Sequence, residues 1–395
     1  MWRSLGGARL RLRLPRATFS SSAAPATAAA TAAAEHDGGA WPHVVTPALV
    51  HELLTNGYVV VRGAFAAAHA RDLQREMDEL RAAGHFYANA THILLPGAPQ
   101  PALLHKRHIL ETELALESTR SRAPALRRFF DEQLVFAPLA RALPPWLALH
   151  GAMVKLQYNE GGGGCFPLHF DTYGDDGKCV TAVLYLNEQW ADGDGGEIVL
   201  YPFPAAEPVV VAPRLGDMVL FSSQQMLHRV LPSRRPRHCL TTWIYQGTPD
   251  AAARAAFYRD SATTTTSGPT RSTRRPPPLP DSEPDAFAVM MEKVLSSPFR
   301  RHLQKLLYAA EWTQSLHEAH EPTAAFAQYM ATHAHELRVI EHATEQMLRN
   351  FRAKDPTQPS TLPATYAELT ARLLGTATLA DGREAAASIR SIPWF

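Results

Sequence analysis

The chain has 395 residues, 39 Lys+Arg against 38 Asp+Glu, and three cysteines. That length allows one large domain with appendages, or two domains, and a core that needs no disulfide staples. Near-neutral charge lacks the basic footprint of a nucleic-acid binder, no run of about 18 apolar residues marks a membrane span, and Cys165, Cys179 and Cys239 fit neither a disulfide framework nor a zinc site.

Residues 1–40 form a leader that holds Arg3, Arg9, Arg11, Arg13 and Arg16, with no acidic residue before Glu35. An Arg-rich, Ser/Ala-rich, acid-free start reads as a transit peptide. The expected destination is the mitochondrion, with plastid or cytoplasm as alternatives; the plainer reading is a disordered Ala-rich extension. After it, the Asn56-Gly57 turn signal introduces a strand, Tyr58–Arg62. Leu73, Met77 and Leu80 fall at helical spacing within Ala67–Ala83, and Gly84 supplies a stop. Residues 93–105, with Pro96, Pro99 and Pro101, read as irregular, and Ala123–Leu143 reads as one helix ending before Pro144-Pro145.

From Met153 to Gln246 short β runs follow one another closely: Met153–Tyr158, Cys179–Asn187, Glu197–Tyr201, Pro208–Val211, Asp217–Phe221 and His238–Gln246. Glycine-rich turns such as Gly161–Gly164 separate them. That texture indicates a sandwich or barrel rather than βαβ units. Residues 261–283, with Thr263–Thr266 and Pro276–Pro278, form a polar, Pro-rich linker. Helical periodicity returns over Ala286–Lys354, and Ala364–Phe395 gives a last helix and an apolar end. His317, His320, His333, His335 and His342 read as a solvated helix face, because none forms a metal-ligand motif, and the apolar stripe of the region reads as a docking face on the barrel.

Within the β region lies His169-Phe170-Asp171, and 59 residues later His228, read as the end of another strand. Residues i and i+2 of a strand share a face, so His169 and Asp171 can present an imidazole and a carboxylate together. A second histidine completes a 2-His-1-carboxylate face, which leaves three positions of an octahedral Fe(II) open. Nine residues on, Arg237 shares a strand face with Cys239 and Thr241. A guanidinium there suits a carboxylate gripped by two hydrogen bonds. A ligand that chelates iron at one end and extends a carboxylate from the other is 2-oxoglutarate.

With these motifs in place, residues 46–248 resemble the 2-oxoglutarate/Fe(II) prolyl hydroxylases, in particular the oxygen-sensing, hypoxia-factor type and its microbial relatives. Lys178-Cys179-Val180-Thr181-Ala182-Val183-Leu184-Tyr185-Leu186-Asn187 with Trp190 is similar to that family's stretch after the HxD pair, although Lys178 stands where the sensors carry Arg. The resemblance implies an α+β fold dominated by β: a double-stranded β-helix (jelly-roll) core over residues 46–250, with N-terminal packing helices and a C-terminal helical region, 284–395. It implies His169, Asp171 and His228 as ligands of Fe(2+). It also implies Arg237, Thr241 and Tyr185 at the distal 2-oxoglutarate carboxylate, and Tyr158 near the chelating end, with one extra residue between Tyr158 and His169. Dioxygen is the expected cosubstrate, L-ascorbate the reductant, and a proline-containing protein or peptide the partner. Residues 90–115 show no match to the family's substrate-covering loop. A 2-oxoglutarate oxygenase acting on a small molecule or another side chain and a catalytically silent binding barrel are the alternatives, and nothing fixes the oligomeric state.

Overall fold

The computed structural model describes residues 41–93, 100–174, 176–204, 207–264, 286–354, 362–374 and 393–395. The expected leader, 1–40, and the linker from residue 265 onward lie outside them. Before the barrel come α1 (Trp41–Val44), α2 (Pro47–Asn56), β1 (Tyr58–Val61), α3 (Ala67–Ala82), β2 (Tyr87–Ile93), β3 (Ala102–Glu113), α4 (Glu117–Arg120), α5 (Pro124–Asp131) and α6 (Phe136–Ala142). The β region follows as β4 (Leu149–Asn159), β5 (Gly164–His169), β6 (Lys178–Tyr185), β7 (Ile198–Tyr201), β8 (Val209–Val211), β9 (Met218–Ser222), β10 (Leu227–Ser233) and β11 (Arg237–Gln246). The remaining helices are α7 (Ala251–Thr264), α8 (Ala286–Leu295), α9 (Phe299–Leu307), α10 (Ala309–Ala319), α11 (Ala324–Lys354) and α12 (Tyr366–Leu373).

Two antiparallel sheets form the core: seven strands in the order β1-β9-β6-β11-β4-β3-β2, and four in the order β5-β10-β7-β8. Period-two alternation decides what each face carries. On β6, Thr181, Val183 and Tyr185 face the second sheet, while Val180, Ala182 and Leu184 face the N-terminal helices. There they meet Leu73, Met77 and Leu80 of α3 and Leu126 and Phe129 of α5. Each such fully buried side chain contributes about 1.5–3 kcal/mol relative to exposure. The outer face of the smaller sheet, with Val199, Tyr201 and Leu227, is covered by Trp312 and Leu316 of α10 and Phe326 of α11. The molecule is therefore layered helix, sheet, sheet, helix, and the C-terminal helices are its fourth layer, as their apolar stripe predicts.

Several expectations need correction. Residues 102–105 are not irregular; they begin β3, which pairs β2 on one side and β4 on the other. The single helix expected over Ala123–Leu143 is two, α5 and α6, broken where Gln133 takes φ 51°. Residues 261–264 close α7 instead of opening a linker. Helical periodicity over Ala286–Lys354 is interrupted at Pro298 and Pro322, which lack the N–H a continuous helix needs. His320 and His333 are buried, not solvated.

Gly57 shows why local sequence sets the entry to the barrel. It sits at φ 75°, and its N–H caps α2 through the Leu53 carbonyl. A β-carbon at that position would meet Trp394 at 2.1 Å. Trp394 in turn is buried, with its indole N–H on the Thr55 carbonyl and the Arg300 guanidinium over its ring. Gly57→Ala is expected to cost about 2 kcal/mol or more, combining positive φ with overpacking, read as a lowered midpoint in urea. Gly84→Ala has equal φ but open space, and is expected to cost about half as much.

Candidate functional site

His169 ends β5, Asp171 lies two residues beyond it, and His228 is the second residue of β10 rather than its end. His228 stands opposite His169 in the β5–β10 ladder, just beyond a bulge. Bulges re-aim side chains, and this one turns His169 toward its partner. One ligand atom from each of the three residues lies within 4.8 Å of the others. His169 Nε2 is 3.6 Å, and His228 Nε2 3.8 Å, from Asp171 Oδ1.

Hydrogen bonds fix which atoms are free. His169 Nδ1 lies 2.7 Å from the Pro167 carbonyl and His228 Nδ1 3.1 Å from that of Met226. A carbonyl only accepts, so each Nδ1 carries the proton and each Nε2 presents a lone pair. Burial, reinforced by His169, pushes His228 down to about 4, so its imidazole is neutral at pH 7. Burial raises Asp171, but the His228 and His169 rings and the Thr181 hydroxyl outweigh it and hold the carboxyl well below its usual range. Thr181 donates to Asp171 Oδ2 at 2.5 Å, leaving Oδ1 facing the imidazoles. Two imidazole nitrogens and one oriented carboxylate, set on one face, suit Fe(II).

The triad lines a cavity of about 430 Å³. Arg237, Cys239, Thr241 and Trp243 alternate along β11 and all reach its wall. Arg237 is 2% exposed, yet its only hydrogen bond among the described residues runs to Cys239 Sγ, and its Nε has no partner. Tyr185 packs its ring 5.1 Å from that guanidinium, and its buried hydroxyl is also unpartnered. Desolvating a guanidinium without a counter-charge costs several kcal/mol. Such a pair of orphaned donors suits the carboxylate of a bound ligand. Thr241 lies on the same face and donates to Gln157 at 2.7 Å.

Tyr158 is the sequence expectation that fails. It pairs with His238 and faces the helical layer, its ring 4.9 Å from the His238 imidazole and beneath the Arg81 guanidinium. Gln157, one residue earlier, reaches the cavity instead. The reason is parity: Tyr158 opposes His238, so both point away from the face that carries Arg237 and Cys239. Cys165 is a buried residue of β5.

The cavity also takes residues that no motif singles out. Lys106 and Glu111 reach it from β3, and Trp312, Leu316, His320 and Tyr329 from α10 and α11. Burial pushes the Lys106 ammonium down to about 8, with Glu111 opposing and Lys155 adding to the fall. The helical layer also grips the neighbours of all three triad residues. Ser315 Oγ accepts the Leu168 N–H at 3.0 Å; Arg301 donates to the Thr172 and Tyr173 carbonyls; and buried Arg229 pairs with Glu311 and Glu318.

Comparison with known proteins agrees with this geometry. Fold and site together define a jelly-roll barrel that carries a 2-His-1-carboxylate facial triad. Residues 154–245 match the family model described as the 2OG-Fe(II) oxygenase superfamily. Those residues resemble a 2OG-Fe(II) oxygenase domain, prolyl hydroxylase-like, and that family implies Fe(2+), 2-oxoglutarate and dioxygen. The chain is similar to the hypoxia-inducible factor prolyl hydroxylase of Caenorhabditis elegans, 36% identical over 85 residues, which are 21% of this chain and 12% of that protein. It is 30% identical to Egl nine homolog 1 of Homo sapiens over 108 residues, 27% of this chain and 25% of the relative. The chain thus spans a minor part of the length of these curated relatives. A solved prolyl 4-hydroxylase structure from Phytophthora capsici aligns with TM-score 0.58 and 28% identity, covering 80% of this chain and 94% of that one.

Arg229→Met removes the cation from between Glu311 and Glu318. Both carboxylates keep some access to water, so the expected cost is about 2–3 kcal/mol, below the full penalty for a stranded buried charge. Hydrogen exchange is expected to accelerate in α10 and at Leu168–Tyr173 before it does in β4.

Proposed function

We propose that the protein hydroxylates a prolyl residue of a protein or peptide, using Fe(II), 2-oxoglutarate and dioxygen and releasing succinate and CO2. The observation that carries this reading is the pairing of a preoriented His169–Asp171–His228 face with a buried guanidinium, Arg237, that has no counter-ion within the described residues. A binding scaffold gains nothing from either feature and bears the cost of both.

In this reading His169 Nε2, Asp171 Oδ1 and His228 Nε2 hold the iron. Arg237 and Tyr185 grip the distal carboxylate of 2-oxoglutarate, with Thr241 beside them. When bound, iron and 2-oxoglutarate supply the oxidising chemistry that couples decarboxylation to C–H hydroxylation. Thr181 keeps Asp171 turned toward the imidazoles, and the two Nδ1 bonds keep both rings in the ligating tautomer. Leu168 and Phe170, backed by Trp312, keep one wall dry. L-ascorbate is the proposed reductant that sustains turnover. The prolyl assignment is supported by the likeness to prolyl hydroxylases, and the arginine-rich leader supports a mitochondrial destination.

His169→Ala and Asp171→Ala are expected to abolish succinate release and to weaken Mn(II) or Fe(II) binding, read by equilibrium dialysis, with little change in far-UV circular dichroism. Arg237→Ala is expected to raise the 2-oxoglutarate KM roughly a hundredfold, the loss typical for one partner of a buried charge pair, while metal binding persists. Mass spectrometry of host proteins with and without active enzyme tests the substrate. One added oxygen on proline supports the proposal; an added oxygen only on other residues or small molecules redirects it. Full activity in the triad variants sinks the enzymatic reading.

A further inference from the structure

The cavity carries charge that the proposed reaction does not use. Apart from the triad and Arg237, its walls hold three ammonium groups, Lys106, Lys155 and Lys178, against the carboxylate of Glu111. Lys155 pairs with Glu111 at 2.9 Å, and Lys178 with Asp176 at 2.8 Å. Lys106 has no carboxylate in ion-pair range among the described residues. Two of its three donors meet neutral oxygens, Asn89 Oδ1 at 2.7 Å and Thr91 Oγ1 at 2.8 Å. A partly desolvated ammonium with one donor unassigned stands where an incoming anion can reach it.

Its position is fixed by backbone. Lys106 forms a β-bridge with His320, and the adjacent Arg107 donates to the His317 and Glu318 carbonyls at the end of α10. His320 spends its Nδ1–H on the Leu316 carbonyl, and burial pushes it down to about 4, so it adds no second cation. The site is a single preorganised positive charge where β3 meets the helical layer. The Phe166 ring, 5.5 Å from Lys106 Nζ, lies 6.5 Å from the His169 ring. Those distances keep Lys106 within about four extended residues of the triad, at 3.3–3.6 Å per residue.

We propose that Lys106 is an anion subsite that binds an Asp or Glu side chain of a peptide substrate, within about four residues of the residue oxidised. This rests on the peptide-oxygenase reading of the same cavity. The surplus of ammonium groups in the cavity also steers an acidic segment inward, so the preference appears in association rate as well as affinity.

The test uses fluorescein-labelled Glu-Pro and Gln-Pro repeat peptides of equal length, titrated by anisotropy into the full chain loaded with Mn(II) and 2-oxoglutarate. The acidic peptide is expected to bind about tenfold more tightly than its amide counterpart, a margin that shrinks in high salt. Lys106→Met is expected to erase the margin, whereas Lys106→Arg retains most of it and exposed Lys354→Met all of it. Lys106→Gln serves if the Met variant does not fold. Equal binding of the two peptides, no binding of either, or a preference that survives Lys106→Met overturns the subsite. Succinate release by the wild-type chain without peptide separately tests the oxygenase reading. Succinate without acidic preference removes only the subsite, while acidic preference without succinate removes the oxygenase and reduces the subsite to an acidic-peptide site with no residue to oxidise.

Discussion

The register of one short ladder governs this molecule. His228 of β10 stands opposite His169 of β5, and a bulge turns the second imidazole toward the first. The side-chain period of a strand is two, so a slip of one residue would send His228 to the outer face and bring Arg229 into the cavity. The sheet holding this ladder has only four short strands. Its backbone pairing alone is a modest guarantee of register, and the surrounding layers supply the rest.

The C-terminal helices do so by charge as well as by apolar packing. Arg229 faces outward because His228 faces inward, and it meets Glu311 and Glu318 on α10. In the slipped register that guanidinium would enter the cavity and both carboxylates would lose their partner. The ion pairs add little to stability on their own, since desolvation offsets much of the Coulomb gain. Their effect is to penalise the wrong alignment. Ser315 on the Leu168 N–H and Arg301 on the Thr172 and Tyr173 carbonyls work in the same sense on either side of the HxD segment. The C-terminal helical region is thereby coupled to each corner of the triad.

Much of this was legible in residue order, and the reasons differ by element. The strands of the large sheet announced themselves because both of their faces are buried, giving dense β-branched runs such as Val180–Leu186. His169, Asp171, His228 and Arg237 were legible through spacing, since i and i+2 on a strand leave few alternatives. β2 and β3 were not, because their inner face lines a polar cavity and their residues, among them Lys106 and Glu111, dilute the apolar alternation. Tyr158 failed by one position. The glycines Gly161–Gly163, all at positive φ, let the chain absorb a residue between β4 and β5, so counting back from His169 cannot give parity. His320 and His333 were misread because burial of a histidine depends on partners: the Leu316 carbonyl for one, Thr313 for the other.

The polarity of the cavity follows from the same parity rule. Along β11 the inward positions run Arg237, Cys239, Thr241, Trp243, from a buried guanidinium to an indole flanked by the ammonium groups of Lys155 and Lys178. Lys155 and Lys178 are offset by Glu111 and Asp176, and each offset comes from β3 or from the turn before β6. Lys106 lies on the one stretch where the second wall is α10, and that wall presents carbonyl oxygens to Arg107 and a neutral imidazole beside Lys106. The fold thus leaves Lys106, alone among the cavity's three ammonium groups, without a carboxylate in ion-pair range among the described residues, at the junction between the barrel and the helical layer.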